Sequence, residues 1–356
     1  MSLSSRSIEH PSHSLGSASA AASVNIALIK YWGKADVDSN RPAVGSLSLT
    51  LDEWGSETTV TWLEKKESRA EHRFILNGQE RLDSKVNKLL THLLQYAEAE
   101  GHSWAKQGQV SAVVESKNTV PTASGLASSA SGMAALGLAA WSALGWPNPS
   151  LNNDIHGGSQ LIDLVRIGSG SAVRSLKGGL VRLESDGRTM TQLCERDEWS
   201  LALVICIVDP GPKAISSREG MERTRLTSPY YDRWVSSHPH DLNAATEAVN
   251  ERDLGKLGEL MEHSTFKMHA AMWSAKPPLR YLKAKSLMIL DEVEQLRSRG
   301  SAAWATMDAG PHVKILCERS EAAHIATHMK SIIGQRSVLI RHPGRAAHII
   351  GEKRDV

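Results

Sequence analysis

The sequence predicts an α+β protein of two joined lobes, and three observations predict it. Period-two and helical apolar patterns interleave along nearly the whole chain. The pattern changes character after the apolar run Leu201–Val208, which sets a boundary near residues 190–200. No internal repeat and no polar linker separates the halves, so the cleft between them is the expected place for a site. With 356 residues, 41% of them hydrophobic and 22% charged, the chain is long enough to fill two such cores. The division expected is a tail over residues 1–22, an N-terminal lobe over 23–195 and a C-terminal lobe over 196–356.

The elements follow in order. The first twenty residues, rich in Ser, Ala and His, lack periodicity and are expected to be a disordered tail, with ordered structure from near Ser23. Glu57–Lys65 alternates as a strand does, and Arg73–Glu80 folds as a hairpin about Asn77-Gly78. Val86, Leu89, Leu90, Leu93, Leu94 and Ala97 fall at helical spacing, with Gly101 as a stop. A strand over Gln109–Glu115 leads into the Gly/Ser-rich stretch Pro121–Gly132, which enters a helix over about Ser128–Ala143. Another helix leads up to Gly168. In the second half, helices are predicted over about Asn243–Glu262 and Leu282–Arg297. Strands are predicted at Ala302–Met307, Lys314–Cys317 and Val338–Arg341.

Composition excludes several classes. Lys plus Arg number 41 against 39 for Asp plus Glu, which argues against a nucleic-acid surface while allowing a local basic pocket. Cys194, Cys206 and Cys317 are odd in number and lack metal-ligand spacing, so they read as reduced core thiols. No apolar run reaches membrane-spanning length and no signal peptide opens the chain, so a cytoplasmic protein with no membrane partner is expected.

Four polar clusters carry the candidate chemistry. PTASGLASSASG ends in a helix start, whose unpaired N–H groups and dipole favour an anion. Glycine allows close approach, and Ser128 and Ser129 add hydroxyls for phosphate or its metal ion. A plain small-residue turn is the alternative. Ser116 and Asn118 precede this loop and could bond a base or sugar. NIALIKYWGK, Asn25–Lys34, sets Lys30 and Lys34 in an apolar and aromatic segment with Tyr31. They are either snorkelling lysines or a desolvated pair facing anions. RIGSGSAVRS, Arg166–Ser175, surrounds Ser169 and Ser171 with glycines and adds Arg174, a fork for carboxylate or phosphate. WATMDAGP, Trp304–Pro311, ends an apolar strand in Asp308, either a turn former or a catalytic acid. No GxxxxGK[ST] and no dinucleotide fingerprint occurs. His263 and His269 lie six apart and share no helix face, so any metal is expected to be Mg²⁺ held mainly by nucleotide phosphates.

PTASGLASSASG resembles the phosphate loop of the GHMP small-molecule kinase superfamily. Together with NIALIKYWGK, RIGSGSAVRS, KAISSREGM (Lys213–Met221) and MDAGP, it is similar to one branch, the diphosphomevalonate decarboxylases. The likeness runs in order from Asn25 to Pro311. It implies a GHMP-kinase-like two-lobed fold, with a ribosomal protein S5 domain 2-like N-terminal lobe, an α+β C-terminal lobe and commonly a homodimer. It further implies ATP- and Mg²⁺-dependent conversion of mevalonate 5-diphosphate to isopentenyl diphosphate, with release of ADP, phosphate and CO₂. By position, Asp308, Lys30 and Arg174 match the family's catalytic aspartate, its neighbouring lysine and the arginine on the substrate carboxylate. Ser169 and Ser171 match serines on the substrate diphosphate, with Tyr31, Lys34 and Arg218 as further substrate contacts. Gly125, Leu126, Ala127, Ser128, Ser129 and Ser217 match the surroundings of the ATP phosphates, with Ser128 near the metal, and Ser116 and Asn118 match the nucleoside side. Ala43-Val44-Gly45 departs from the family, where Asn is usual, as do His312 for Asn and Val173 for Cys. A decarboxylase of mevalonate 5-phosphate, a kinase that stops at phosphorylation and a noncatalytic ATP-binding protein are the rival readings.

Overall fold

Two large sheets, one per lobe, are bound together by the longest strands of the chain. The computed structural model describes residues 14–64, 72–105, 109–119, 128–147, 158–209, 211 and 214–353. The first lobe contains β1 (Ser14–Ile29), the short pair β2 (Lys34–Asp36) and β3 (Arg41–Pro42), β4 (Ser46–Glu64) and the hairpin β5 (Arg73–Leu76) and β6 (Gln79–Arg81). There follow α1 (Ser84–Ala99), β7 (Val110–Asn118), α2 (Ser128–Ser142), α3 (Gly158–Gly168), a 3-10 turn over Ala172–Leu176, β8 (Leu180–Leu183) and β9 (Met190–Cys194). The second lobe holds β10 (Leu201–Cys206), α4 (Ser217–Thr227), α5 (Tyr231–Asn250), α6 (Leu254–Trp273) and α7 (Ala284–Ser298). It continues with β11 (Trp304–Met307), β12 (Val313–Glu318), α8 (Ala322–Ile333), β13 (Val338–Arg341) and β14 (His348–Lys353).

The large sheet runs β14-β1-β4-β7-β5-β6, with β8 beside β4 and β9 beyond it. Helices α1, α2 and α3 cover one face through Leu89, Leu93, Leu136, Leu161 and Val165. The second sheet runs β11-β12-β10-β13. Its central strand β10 is buried on both faces, which is why it reads as an unbroken apolar run. Ala202, Val204 and Cys206 face α7 and α8, while Leu201, Leu203 and Ile205 face α5, α6 and the first lobe. Each fully buried Leu or Ile in these layers contributes about 1.5–3 kcal/mol.

Three expectations are corrected. Residues 14–22, expected in the tail, form the first half of β1. Ala18, Ala20 and Ala22 alternate inward, while Ser17 and Ser19 pair their hydroxyls with Thr61 and Thr59 at 2.9 and 2.7 Å. Small residues of weak β propensity hid this strand, which pairing with β4 and β14 on both edges secures. The helix expected over Asn243–Glu262 is two helices. Arg252 takes a left-handed φ of 57°, and the Asp253 carboxylate caps α6 by accepting from the Lys256 N–H at 2.9 Å. Finally, residues 196–356 do not stay in one lobe, because β14 returns to the first sheet beside β1. The hairpin at Asn77-Gly78 and helices α1, α2 and α7 lie close to where the pattern set them.

Candidate active site

The lobes meet at two strand ends. Lys30 follows the last residue of β1, and Asp308 follows the last residue of β11. Lys30 Nζ lies 2.8 Å from Asp308 Oδ1, and Lys314 Nζ, from β12, lies 2.7 Å from Oδ2. Lys314 pairs in register with Thr306 across the β11–β12 ladder, which brings its ammonium back beside the Asp308 turn. Lys30 is anchored twice more: its Nζ donates to the Ala27 carbonyl at 2.8 Å, and its backbone N–H donates to Ser264 Oγ of α6 at 3.0 Å. Both lysines are buried, at 1% and 3% exposure, whereas 34% of the Asp308 side chain stays open. The acid is therefore the member that faces the cleft.

Burial alone would raise the Asp308 carboxyl, but the two ammonium groups outweigh it and hold the acid far below the usual carboxylate range. Burial lowers Lys30 to about 8, with the Asp308 charge working against that and Lys314 and Arg174 adding to it. Behind them, burial lowers His269 of α6 to about 4, so it stays neutral and adds no further charge.

Arg174 comes from the 3-10 turn that follows the serine-glycine segment. It is 3% exposed, and burial lowers it to about 10. Its Nε donates to Asn25 Oδ1 at 3.1 Å, its Nη1 donates to Ser46 Oγ at 2.9 Å, and its guanidinium lies 5.9 Å from the Tyr31 ring centroid. Asn25 also donates to the Ser171 carbonyl at 3.1 Å and to Ser175 Oγ at 2.7 Å, so one amide fixes both the arginine and its turn. The Tyr31 hydroxyl is buried without a hydrogen-bond partner, and burial pushes it up to about 12.

A second group lies on the other side of Tyr31. Ser169 and Ser171 hydroxyls are 3.2 Å apart at the end of α3. A Cβ at Gly170 would sit 2.6 Å from the Tyr31 hydroxyl and 2.9 Å from the Asn40 carbonyl oxygen, so only glycine fits there. Lys34 Nζ and Arg218 of α4 both donate to Asn40 Oδ1, the latter at 3.5 Å. Burial lowers Lys34 to about 8, and Arg218, Lys85 and Lys88 lower it further against Glu222.

Of the residues expected on the nucleotide side, Gly125, Leu126 and Ala127 lie outside the described residues, as does Lys213. Ser128 opens α2, and Ser129 is exposed in its first turn. Ser217 is the first residue of α4, capped by Ser216. The Ser116 hydroxyl is buried against Thr58 Oγ1 at 3.0 Å, and Asn118 Oδ1 accepts from Ser56 Oγ at 2.7 Å. Ser56 also contacts Ser131 of α2 at 2.9 Å, so these groups brace the helix start. Lys314, Asn40, Asn25 and Lys85 were not singled out in the sequence. A lysine inside the apolar run Val313–Cys317 was the available signal for Lys314.

The departures also have reasons. A Cβ at Gly45 would meet Leu242 Cδ2 at 2.5 Å and the Leu183 carbonyl at 2.9 Å. Val44 and Val173 are buried apolar contacts. His312 Nδ1 accepts from the Val208 N–H at 3.1 Å, tying β10 to the Asp308 turn.

Two α+β lobes meeting at a carboxylate between lysines, with a serine-rich helix start in the first lobe, define a GHMP-kinase-like enzyme. Residues 22–194 match the diphosphomevalonate decarboxylase-like N-terminal domain, and residues 203–348 match the mevalonate 5-diphosphate decarboxylase C-terminal domain. The chain belongs to the diphosphomevalonate decarboxylase family. It is 34% identical to the diphosphomevalonate decarboxylase of Candida albicans over 311 residues, covering 84% of this chain and 83% of that protein. The mevalonate diphosphate decarboxylase of Staphylococcus aureus superposes with a TM-score of 0.82 at 33% identity, over 94% of this chain and 98% of that one. A solved complex described as "MDDEF in complex with MVAPP, AMPPCP and Magnesium" superposes equally, at 37% identity over 94% and 99%.

Proposed function

We propose that this enzyme converts mevalonate 5-diphosphate to isopentenyl diphosphate at the expense of ATP, releasing ADP, phosphate and CO₂. The reading has it working in the cytoplasm as a homodimer, with no membrane or nucleic-acid partner. The observation that carries it is Asp308, gripped at 2.7 and 2.8 Å by Lys314 and Lys30 at the junction of the lobes, within the field of Arg174.

The tertiary hydroxyl attacks the γ-phosphorus, ADP leaves, and the hydroxyl proton passes to Asp308. An acid held so far below its usual range is a weak base. It therefore orients the alcohol and takes the proton late, which suffices for the loose transition state of phosphoryl transfer. The C–O bond to the new phosphate then breaks. The electrons of the neighbouring C–C bond form the alkene, and CO₂ departs. Arg174 aims the carboxylate from a frame of neutral partners. Its grip must not favour the ground state over the transition state. Tyr31, Lys34, Arg218, Ser169 and Ser171 would anchor the unreacting diphosphate.

Ser128, Ser129 and Ser217, with Gly125, Leu126 and Ala127, would receive the ATP phosphates, and Ser116 and Asn118 would stand on the nucleoside side. The exposed Ser129 in the first turn of α2 suits phosphate oxygens. Among the described residues no group of three or more His, Cys, Asp and Glu could hold a metal. A Mg²⁺ carried mainly by the nucleotide phosphates, with Ser128 as its protein oxygen, is the reading the family resemblance supports. When bound, the ion would neutralise phosphate charge.

The test is a side-by-side assay of mono- and diphosphorylated mevalonate with ATP, reading ADP, phosphate and CO₂ together. Stoichiometric release of all three, with a kcat/KM at least about tenfold higher for the diphosphate, is expected. Preference for the monophosphate, or ADP without CO₂, would overturn the assignment.

A further inference from the structure

We infer that Asn40 is a positioning residue whose side chain locks Lys34, Arg218 and the Gly168–Ser171 turn into one preorganised receptor for the substrate's diphosphate. The inference rests on the reading of that pocket as the diphosphate site.

Asn40 lies in the turn between β2 and β3, is 2% exposed, and has a φ of 53°, which Asn tolerates better than most residues. Its Oδ1 accepts from Lys34 and Arg218, while its Nδ2 donates to the Arg166 and Ile167 carbonyls at 3.2 and 2.6 Å. Two acceptor sites and two N–H groups are the full capacity of a carboxamide, and all four are used. The carbonyls it binds stand immediately before Gly168, so the same side chain sets where the two serines begin. A neutral acceptor orders two cations without consuming their charge. A carboxylate would order them too, but it would cancel one charge and compete with the phosphate. An aliphatic side chain would leave two cations facing each other with nothing between them.

Lys34 faces Arg218 and Glu222 from α4 and Lys85 and Lys88 from α1, so four of the groups around it are charged and three are cations. That crowding makes its proton sensitive to a carboxylate placed at residue 40.

The experiment is calorimetric binding of mevalonate 5-diphosphate, without ATP so that nothing turns over, between pH 6.5 and 9.5. Asn40→Gly keeps the left-handed backbone and removes the side chain. It should bind about tenfold more weakly, with affinity still falling above about pH 8 as Lys34 loses its proton. Asn40→Asp should also bind about tenfold more weakly at neutral pH, but its decline should move to higher pH, because the carboxylate favours the ammonium form of Lys34. A merely structural role would weaken binding without moving that decline. ATP affinity within about twofold of the parent in both variants checks that the fold is intact. Asn40→Gly binding as tightly as the parent, or Asn40→Asp declining at the parent's pH, would overturn the inference. If Lys34→Met and Arg218→Met each weaken binding while Asn40→Gly does not, Asn40 alone is misread. If those two also leave binding unchanged, the pocket itself is misassigned.

Discussion

The two charged corners of this site use opposite devices. At Asp308, two buried lysines are spent on a carboxylate, at 2.8 and 2.7 Å. At Lys34, Arg218 and Arg174, the cations are held by Asn40, Asn25 and Ser46, none of which carries charge. A buried charge such as Lys30 or Arg174 needs partners in either case. Where the protein keeps its own anion ready, the partners are ions. Where it waits for a substrate anion, they are amides and a hydroxyl, which satisfy geometry and leave the field uncancelled. On the proposed reading, the difference separates a corner built to react from corners built to grip.

The largest test of this contrast is Asp308→Asn. It keeps the shape and removes the proposed proton acceptor, so kcat should fall about 10³-fold while ATP and substrate affinities stay within a few-fold. The neutral amide also turns the reacting corner into a gripping one, with two lysine charges uncancelled. Substrate should therefore bind no more weakly, and a large loss of affinity would break the distinction. Single-turnover kinetics beside equilibrium binding reads both quantities.

Motif spacing made the reacting corner legible, because Asp308 ends an apolar strand and Lys30 interrupts an apolar segment. Each breaks a pattern that folding alone would keep. Helix α1 was legible from Val86 to Ala97 because amphipathic spacing is a long-range average. Asn40 was hidden because Asp36, Asp38, Ser39 and Asn40 together read as an ordinary polar turn. Its role is created by neighbouring Lys34 together with the α3 carbonyls and the Arg218 cation of α4, 126 to 178 residues away. Lys314 was hidden for the opposite reason, inside a run read as plain core. The first half of β1 escaped because alternation of Ala with Ser carries almost no hydrophobic contrast, and pairing on both edges decides it.

The contrast is sharpened by pH. Lys30 sits at about 8 against an ordinary 10.5, so between those values the unfolded chain binds more protons. This group's contribution to stability therefore rises with pH across that window. Activity should go the other way. Once Lys30 is neutral, Asp308 keeps one ammonium instead of two, and kcat should fall about tenfold per pH unit above roughly 8. Reading kcat at saturating substrate keeps Lys34 out of the profile, since its charge is then covered by the diphosphate. Melting temperature measured on the same samples should hold or rise from pH 8 to 9.5. A parallel fall in both would mean that unfolding, and not the ion pair, sets the alkaline limb. On the acid side stability again rises with pH. Asp308 lies far below 3.8 when folded, so its contribution is present above about pH 4 and is lost as pH falls further.

The smallest expected effect tests the gripping corner with no charge changed at all. Ser169 and Ser171 present hydroxyls 3.2 Å apart, just after the α3 carbonyls that Asn40 binds. Each neutral donor to a charged phosphate should contribute about 1 kcal/mol, so Ser169→Ala and Ser171→Ala should each raise KM for the diphosphate substrate roughly fivefold. Neither should change KM for ATP, whose proposed loop is a different segment of the chain. The monophosphate should suffer less, because fewer oxygens reach this turn. An equal loss for both ligands would mean that the turn serves the nucleotide. No loss for either would leave the cations as the whole of the grip.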